Sequence, residues 1–356
     1  MHKGWLRSRL TWFFLFCCFC IVAFYTLVQS IIGKPNASPY LHGRAVEISV
    51  ISDKNASLKE LLGDSYFIND HLRFISGCEL QSELNYFGGW SGMTFIGSSL
   101  LLVSDLSAWL LITDPLSLCE KRNVTGTIGW LFNSNKKSLR STGYSDIEAV
   151  SYSKQQNQLL LSHESYSSGI FVGDLNNDDI SSVPFKLLTA VPSNLHNLPK
   201  GRGLEAISWL NVEKSRPLIL AIAERNPGEN NDAIPGWIMD ADGKSVKEFN
   251  FAVDHGYDIS DMAYEENCGL FILERKLSWL GRFFVKLKRV DLDGLLVKNV
   301  WTSETIFAGD SSGRLIDNME GIAVSYNDAE CKVSMVSDSN FIKLQKTTFL
   351  LFSYSR

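Results

Sequence analysis

Pairs of short β-type runs recur along the chain, each pair joined by a polar turn and bracketed by acidic residues. In the last pair, Ile322–Ser325 and Lys332–Val336 have the pattern of half-buried strands, and Glu320 and Asp338 stand at their outer ends. Four earlier stretches have the same plan, and their bracketing residues are Ser91 and Asp105, Glu148 and Glu164, Glu205 and Glu224, and Asp261 and Glu274. Each stretch is predicted to be a β-hairpin with acids at one end, except that Ser91 stands in place of the first acid.

The spacing of these hairpins is nearly constant. Their first bracketing residues are separated by 57, 57, 56 and 59 positions. A period of this size is typical of solenoids, propellers and arrays, because one unit alone cannot bury its hydrophobic face. Two further strand-like runs follow the second acid, as in IFVGDL and FKLLTAV after Glu164. The sequence therefore predicts an all-β fold, a β-propeller of about five four-stranded blades. A degenerate sixth blade between Ala45 and Cys78 is left open.

The N-terminal 34 residues have a different pattern. Three basic residues precede an uncharged run of 19 residues, Leu10–Val28, which suffices to cross a bilayer as a helix. No small-residue cleavage site follows, so residues 1–34 are interpreted as an uncleaved membrane anchor, with a cleaved signal as the alternative. In both cases the basic end stays in the cytoplasm and the propeller, anchored or secreted, lies on the periplasmic side.

Residues 35–70 are predicted to be a linker followed by a first strand, AVEISVIS, and residues 71–356 to be the propeller. Residues 71–82, HLRFISGCELQS, resemble the last strand of a blade but precede the first repeat. The C-terminal unit has only three strand-like runs. We therefore expect residues 71–82 to supply its outer strand, which ties the termini together and removes an exposed sheet edge.

The charge balance excludes one class of partner. Residues 1–34 hold four basic and no acidic residues, which leaves 30 Lys+Arg against 39 Asp+Glu and a formal net charge of −9 in the remainder. No basic stripe interrupts this balance, so nucleic acid is not an expected partner.

The cysteine spacing argues against a zinc site. Three cysteines lie in the apolar N-terminal run, and the others are Cys78, Cys119, Cys268 and Cys331. None of these four has CxxC spacing. A Cys78–Cys331 disulfide is the first pairing to consider, because both residues are expected in the closing blade. Four buried free thiols are the alternative.

Stacking the blades radially brings the bracketing acids to one mouth of the central channel. Within a hairpin the two acids are cross-strand neighbours at the same end. The gathered carboxylates cannot all stay ionised without cations, because neighbouring like charges raise each other's pKa. Ca²⁺, a hard cation that takes oxygen ligands, is the expected cofactor.

The predicted roles divide the mouth residues into three groups. The residues expected to ligate the metal or to position a catalytic water are Glu148, Glu205, Asp261 and Glu320. The further metal ligands are Asp105, Glu164, Glu224, Glu274, Asp338, Asn318 and Asn340. The cations expected to bind an anionic substrate are Arg225, Arg275 and Arg202. Alternatively, each acid accepts hydrogen bonds from the next blade, and the Glu-Arg pairs 224–225 and 274–275 are ion pairs that fix blade registry.

The five ordered motifs also resemble a known family. FGGWSGMTF…LLVSD, DIEAVSY…LLSHE, GLEAISWL…AIAER, DISDMAY…FILER and DNMEGIAV…MVSDSNF…TTFLLF are similar to the phytase-like family, "esterase-like activity of phytase", over roughly residues 71–356. The resemblance implies a β-propeller and metal-assisted hydrolysis of phosphate or other esters. The DDPAxW-type and NNVDIR-type segments of calcium-dependent phytases are absent, which argues against phytate as the substrate.

The sequence thus predicts an extracytoplasmic propeller that hydrolyses a small anionic ester or phosphoester at a metal-containing acidic mouth. A non-catalytic binding or scaffold propeller of the cell envelope is the alternative, since propellers host many roles. Ser91, in place of the first acid, favours that alternative or an asymmetric site. GGWSG is not a nucleophile elbow, because Met93 stands where its last glycine is required. His163 is interpreted as a channel or blade residue.

Overall fold

The computed structural model describes residues 41–211, 216–226, 233–293 and 296–355. The predicted N-terminal anchor or signal helix, residues 1–34, lies outside this part of the chain. Among the described residues, no helix combines the length and the apolar character needed to span a bilayer. These residues form mainly β-strands, which confirms the all-β prediction.

The strands are numbered in chain order. They are β1 (Arg44–Ile51), β2 (Phe67–Ile68), β3 (Leu72–Gln81), β4 (Trp90–Ile96), β5 (Ser99–Ser104), β6 (Ala108–Thr113), β7 (Asn123–Trp130), β8 (Phe132–Asn133), β9 (Ile147–Ser153), β10 (Gln158–Glu164), β11 (Ser168–Asp174), β12 (Pro184–Leu187), β13 (Ala206–Leu210), β14 (Leu218–Ile222), β15 (Ala233–Asp240), β16 (Ser245–Ala252), β17 (Asp258–Glu265), β18 (Gly269–Leu277), β19 (Phe283–Val290), β20 (Val300–Trp301), β21 (Ser303–Asp310), β22 (Met319–Asn327), β23 (Glu330–Ser337) and β24 (Thr347–Tyr354). Within the described ranges, the connections contain two short α-helices and three 3₁₀ turns, which are α1 (Leu58–Leu62), α2 (Ser193–His196), Pro115–Glu120, Leu139–Ser141 and Ile180–Ser182.

Five antiparallel four-stranded blades surround a central axis. Blade 1 is β4-β5-β6-β7, blade 2 is β9-β10-β11-β12, and blade 3 is β13-β14-β15-β16. Blade 4 is β17-β18-β19-β21, and blade 5 is β22-β23-β24-β3. The first strand of each blade lies beside that of the next, and β22 returns to β4. This closed ring is the β-propeller that the repeat period predicts.

The last blade is closed by a strand from the N-terminal side of the propeller. β3 pairs antiparallel with β24, from Leu72 opposite Tyr354 to Leu80 opposite Thr347. This pairing confirms that residues 71–82 supply the outer strand of the last blade. β1 pairs with both β3 and β7, so blades 5 and 1 share one nine-stranded sheet. β2 lies at the edge of blade 4, and the described chain therefore has five blades rather than six.

The inner strands are buried on both faces. β13 and β14, with the sequences AISWL and LILAI, are buried at every position. Each inner strand packs against blades on either side, so its sequence is a continuous apolar run rather than an alternating one. The outer strand β1, by contrast, alternates between buried and exposed positions over most of its length. The packed inner ring gives the channel mouth a rigid frame.

The disulfide pairing differs from the predicted one. Cys78 is bonded to Cys119, and Cys268 is bonded to Cys331. The predicted Cys78–Cys331 bridge is therefore wrong, as is the alternative of four free thiols. Cys78 and Cys331 do share blade 5, but each faces a different neighbour. Cys119 belongs to the 3₁₀ turn of blade 1 and Cys268 to the β17–β18 turn of blade 4, so the two bridges tie blade 5 to both adjacent blades.

Candidate functional site

A backbone hydrogen bond that repeats from blade to blade defines one end of the channel. The second bracketing acid donates its amide N–H to the carbonyl of the residue two positions before the first bracketing residue. At 2.8–3.0 Å, these bonds are Asp105 to Gly89, Glu164 to Asp146, Glu224 to Gly203, and Asp338 to Asn318. Both bracketing residues of these hairpins therefore lie at the same end, which we call the acidic mouth.

β-Bulges set the first bracketing residue apart from its strand. The register shifts on either side of Ser91 in blade 1 and of Glu320 in blade 5. In blade 2 the irregularity lies between Leu161 and His163, opposite Glu148. A bulge leaves its extra residue out of the ladder and redirects its side chain, which here brings the side chain to the mouth.

Blade 4 departs from the predicted register by one residue at both positions. Its bulge falls on Ser260, and Asp258 lies opposite Arg275. Ser260 and Arg275 therefore occupy the places that bracketing residues hold in the other hairpins. Asp261 and Glu274, the acids predicted for this repeat, each lie one residue away. A shift of one residue turns a strand side chain to the other face.

Asp261 is enclosed between blades 4 and 5. It is fully buried, its Oδ1 accepts a hydrogen bond from Met262 N at 2.8 Å, and its Oδ2 accepts one from Ile322 N at 2.9 Å. Burial raises the pKa of Asp261 well above its usual range, although these hydrogen bonds oppose the shift. Its contacts match the alternative in which an acid accepts hydrogen bonds from the next blade.

Glu274 lies on the face of blade 4 rather than beside the mouth carboxylates. It is fully buried, and its Oε2 lies 3.0 Å from Lys288 Nζ. Burial raises the pKa of Glu274 to about 7, although Lys288 lowers it. The structure therefore places this predicted ligand in an ion pair within its own blade.

Three carboxylates converge in the mouth at blades 2 and 3. Glu148, Glu164 and Glu205 each have an oxygen within 4.8 Å of the others. Gly201 N and Gly203 N donate to the two oxygens of Glu164, the second at 3.1 Å. A Cβ at Gly203 would stand 2.5 Å from Glu164 Oε2, so a larger residue there would displace the Glu164 side chain. The arrangement presents several carboxylate oxygens to one point, as a hard divalent cation requires.

Burial is the main cause of raised carboxyl pKa values around this cluster. It raises the pKa of Glu148 and of Glu205 well above the usual range, and neighbouring carboxylates add to the effect. The pKa of Asp146 rises to about 6, through burial first and Glu164 second. The pKa of Asp105 rises to about 8, again through burial and neighbouring acids. Burial and the closeness of the other acids both disfavour the charged form of these carboxyl groups.

At blades 3 to 5 the mouth contains a guanidinium group among its acids. Arg275 contacts Glu320, donates to Asn318 Oδ1 at 2.6 Å, and has an Nη2 atom 3.6 Å from Glu224 Oε1. Asn318 Nδ2 also donates to Glu320 Oε1 at 2.7 Å. Glu320 is thus held by one cation and one amide, unlike the three clustered carboxylates.

The other two predicted substrate-binding arginines lie on the same side. Arg225 donates to Glu224 Oε1 at 2.5 Å and to Asp258 Oδ2 at 2.9 Å. Arg202 Nη1 donates to the carbonyl of Asn226 at 3.2 Å. The side chain of Arg225 remains 35% exposed, so it can contact a ligand while it pairs with its two acids.

The predicted ligands after β23 divide between the mouth and a surface loop. Asp338 is buried, and its Oδ1 accepts a hydrogen bond from Asn340 N at 2.7 Å. Burial raises the pKa of Asp338 to about 6. Asn340 Nδ2 donates to Gln345 Oε1 at 3.0 Å, an exposed contact within the loop. Asp338 therefore belongs to the mouth, whereas the Asn340 side chain belongs to the loop.

Sequence reasoning missed two acids of the mouth. Asp146 and Asp258 each stand two positions before the first bracketing position of their blades, as Asn318 does in blade 5. For Asp146 the signal was present in the motif SDIEA, where it precedes Glu148 by two residues, and residues two apart on a strand point to the same side. Asp258 precedes the predicted Asp261 by three residues, so only the bulge at Ser260 reveals its place.

Two other candidate residues have packing roles. His163 is buried against the rings of Tyr144 and Phe171, and burial lowers its pKa to about 4. Ser91 is buried and donates its hydroxyl to the carbonyl of Ile147 in blade 2 at 2.6 Å. His163 is therefore a blade residue, and Ser91 links two blades.

Comparison with known proteins identifies a family and several similar folds. The family model "Phytase-like: Esterase-like activity of phytase" matches residues 85–341. No curated protein sequence matches the chain significantly. Among solved structures, a thermostable family-43 glycoside hydrolase is 9% identical with a TM-score of 0.46, over 74% of this chain and 89% of that chain. An alpha-L-arabinofuranosidase from Podospora anserina in complex with cellotriose is 7% identical with a TM-score of 0.44, over 75% and 92% of the two chains. Myxococcus xanthus glutaminyl cyclase is 11% identical with a TM-score of 0.40, over 80% and 97%.

Proposed function

This chain belongs to the phytase-like family, and we propose that it is a metal-dependent hydrolase of small anionic esters or phosphoesters that acts outside the cytoplasm. Its active site is the acidic mouth, where Glu148, Glu164 and Glu205 hold the metal. One observation carries this proposal: each of the three carboxylates has an oxygen within 4.8 Å of the others, while Arg225 and Arg275 pair with other acids.

A hard divalent cation such as Ca²⁺ fits these donors. The ligand atoms are carboxylate oxygens, and burial disfavours their charge unless a cation balances it. The hydrogen bonds from Gly201 and Gly203 orient Glu164, which is how outer contacts position a metal ligand. When bound, the cation lowers the pKa of a water and offsets negative charge on a phosphoryl or acyl oxygen.

Other residues of the mouth accept the proton of the attacking water and bind the substrate. Asp146, with a pKa of about 6, is suited to accept a proton from the attacking water near neutral pH. Arg225 orients an anionic group of the substrate through a charge-assisted hydrogen bond. Glu320 has a supporting role, because it holds Arg275 in place.

Two features support the location outside the cytoplasm. The Cys78–Cys119 and Cys268–Cys331 disulfides are of a kind that persists in oxidising compartments. The uncharged run Leu10–Val28 follows basic residues, an order typical of an N-terminal segment that leaves the rest of the chain outside.

Hydrolysis assays on the full chain test the proposal. We expect p-nitrophenyl phosphate or p-nitrophenyl acetate to be hydrolysed with Ca²⁺, and the activity to be lost in EDTA. Glu205→Gln keeps the shape of the side chain but removes its charge, so it should lower kcat by roughly 100-fold or more. Asp174→Asn is the matched control, because Asp174 is an exposed acid whose side chain accepts a hydrogen bond from Gln158 at 2.8 Å.

Equal activity of the wild type and Glu205→Gln would place the chemistry elsewhere. Metal binding without turnover of either ester would instead favour the binding or scaffold propeller.

A further inference from the structure

The most exposed apolar side chains of the described chain cluster around the acidic mouth. Those that are at least 60% exposed are Tyr166 at 97%, Trp279 at 91%, Val297 at 81%, Leu344 at 79%, Leu280 at 73% and Leu277 at 60%. All except Val297 lie in or beside loops that join the second and third strands of blades 2, 4 and 5. These loops follow the second bracketing position, so they stand at the mouth. Val297 lies between the third and fourth strands of blade 4, at the opposite end.

The β18–β19 hairpin holds its apolar tip in a defined turn. The ladder continues beyond the mouth to Leu277, which lies opposite Phe283. Ser278 N then donates to the carbonyl of Arg282 at 2.8 Å. Trp279–Leu280 therefore projects from an ordered turn, and the rest of the blade does not cover it.

Basic side chains flank the apolar tips. Lys276 and Arg282 stand on either side of the Trp279–Leu280 tip, and Lys343 precedes Leu344. Lys276 donates to the carbonyl of His255 at 3.3 Å and Arg282 pairs with Asp310, so Lys343 is the cation best placed to reach a headgroup. Aromatic residues are enriched where a bilayer meets water, and long basic side chains reach from apolar surroundings to the headgroups. This combination fits the surface of a lipid bilayer.

The N-terminal part of the chain leaves the propeller at the same end. The carbonyl of Leu41 accepts a hydrogen bond from Trp130 N at 3.0 Å, and Trp130 pairs with Ala108, three residues after Asp105 of the mouth. Leu41 lies 13 positions after the uncharged run Leu10–Val28, a distance of at most roughly 45 Å along an extended chain. A membrane segment in that run would hold the mouth end close to the bilayer.

We propose that the mouth face of the propeller rests on the outer surface of a lipid bilayer. Tyr166, Trp279, Leu280 and Leu344 lie in the headgroup region, and the acidic mouth opens toward molecules carried at that surface. The surface is zwitterionic rather than anionic, because the chain beyond residue 34 has a formal net charge of −9 and an anionic bilayer attracts basic segments. This docking goes beyond the proposed hydrolase and does not require the mouth to be catalytic.

The contact can be tested with the full chain in phosphatidylcholine vesicles whose acyl chains are brominated near the headgroup. Tryptophan fluorescence of the wild type minus that of Trp279→Phe isolates Trp279 from the other tryptophans. We expect this difference signal to be quenched by brominated lipid and shielded from iodide. Combined Tyr166→Ser, Leu280→Ser and Leu344→Ser should abolish the quenching and expose Trp279 to iodide. Val297→Ser is the matched control, because Val297 lies at the opposite end of blade 4. It should change neither the quenching by brominated lipid nor the shielding from iodide.

Trp279 that is unquenched by brominated lipid and open to iodide would overturn the proposal. Shielding from both quenchers together with a crosslinked dimer would overturn it in favour of a second copy of the chain. The same measurement in EDTA and in Glu205→Gln separates the two proposals. Hydrolysis should be lost under both conditions, and the quenching should stay unchanged. Quenching of a wild type that shows no hydrolysis with Ca²⁺ would remove the hydrolase and leave the docking, and hydrolysis by the wild type without quenching would do the reverse.

Discussion

At blades 2 and 3 the mouth brings Glu148, Glu164 and Glu205 within 4.8 Å of one another, whereas at blades 4 and 5 it places Glu320 against Arg275. Both sides come from the same hairpin repeat, but the position of the bulge in blade 4 differs by one residue from the predicted register. Register and residue type together therefore separate them. Where blade 4 carries Arg275 in place of an acid, the charge is balanced within the protein. Where blade 2 carries Glu164, the balance requires a bound cation or a proton.

This difference separates ion-paired acids from clustered acids, although both kinds occupy the same motif position in the sequence. Glu320 and Glu224 belong to an ion-pair network with Arg275 and Arg225, which fits the alternative of pairs that fix blade registry. Glu148, Glu164 and Glu205 lie close to one another instead, without such a pair among the described residues. We therefore expect substitutions on the two sides to differ in sign and in their dependence on metal.

Removal of the guanidinium group should have the largest effect. Arg275→Met leaves the buried Glu224 and the partly buried Glu320 without their shared cation. Breaking a fully buried pair costs roughly 3–5 kcal/mol, so we expect a loss at or below the lower end of that range. Urea unfolding of the wild type and variant in EDTA measures this loss. Lys298→Met is the control, because Lys298 forms an exposed pair with Asp291 at 3.8 Å and such pairs contribute only about 0–1 kcal/mol. If both variants lost the same small amount, Arg275 would not be balancing the buried acids.

Calcium should stabilise the folded protein through the carboxylates Glu148 and Glu205, and not through Glu320. A cation at about 100 times its Kd stabilises the folded state by roughly 2.7 kcal/mol. Glu148→Gln and Glu205→Gln should lose most of that increment, and in EDTA they should be neutral or stabilising because they relieve repulsion.

Glu320→Gln serves as the comparison on the other side. It should keep the calcium increment but lower the melting temperature with or without calcium, since it breaks the pair with Arg275. Melting curves of the three variants, recorded with calcium and with EDTA, measure both the calcium increment and the melting temperature of each variant. Loss of the increment in Glu320→Gln alone would move the cation site to blades 4 and 5.

The fold could be predicted because its determinants are local and repeated. Apolar runs of strand length, polar turns and the 57-residue period specify blades, and the missing strand of the last blade specifies its closure by residues 71–82. Disulfide connectivity is different, because four cysteines allow three pairings and sequence alone does not choose among them. The bridges depend on which turns meet between blades, which the repeat does not encode.

The site could be predicted only in part, because a bulge changes register without changing composition. In blade 4 the acids Asp261 and Glu274 match the motif, yet the bulge at Ser260 places Arg275 in the acidic position. A single inserted residue reverses which side chains face the channel. The other four hairpins keep the expected register, so their acids reach the mouth as predicted.

The pH dependence of stability should sharpen the comparison further. Burial raises the pKa of Asp105 from 3.8 to about 8, and that of Asp146 from 3.8 to about 6. Without metal, the folded state therefore holds more protons than the unfolded state between about pH 4 and 8, and the free energy of unfolding falls as pH rises through that window. Each group contributes at most about 1.4 kcal/mol per pH unit. Glu330, whose pKa is lowered to about 2 by hydrogen bonds from Lys332 and Ser353, has the opposite sign, but it acts below the window. Buried His163, whose pKa is lowered from 6.5 to about 4, also has the opposite sign and offsets part of the decline below about pH 6.5, so the decline should be clearest between pH 6.5 and 8. Chemical denaturation in EDTA at several pH values should show the decline, Asp105→Asn should flatten it, and calcium at pH 8 should restore the stability. A metal-free protein that grew more stable from pH 5 to pH 8 would show that the mouth carboxylates are already balanced within the fold.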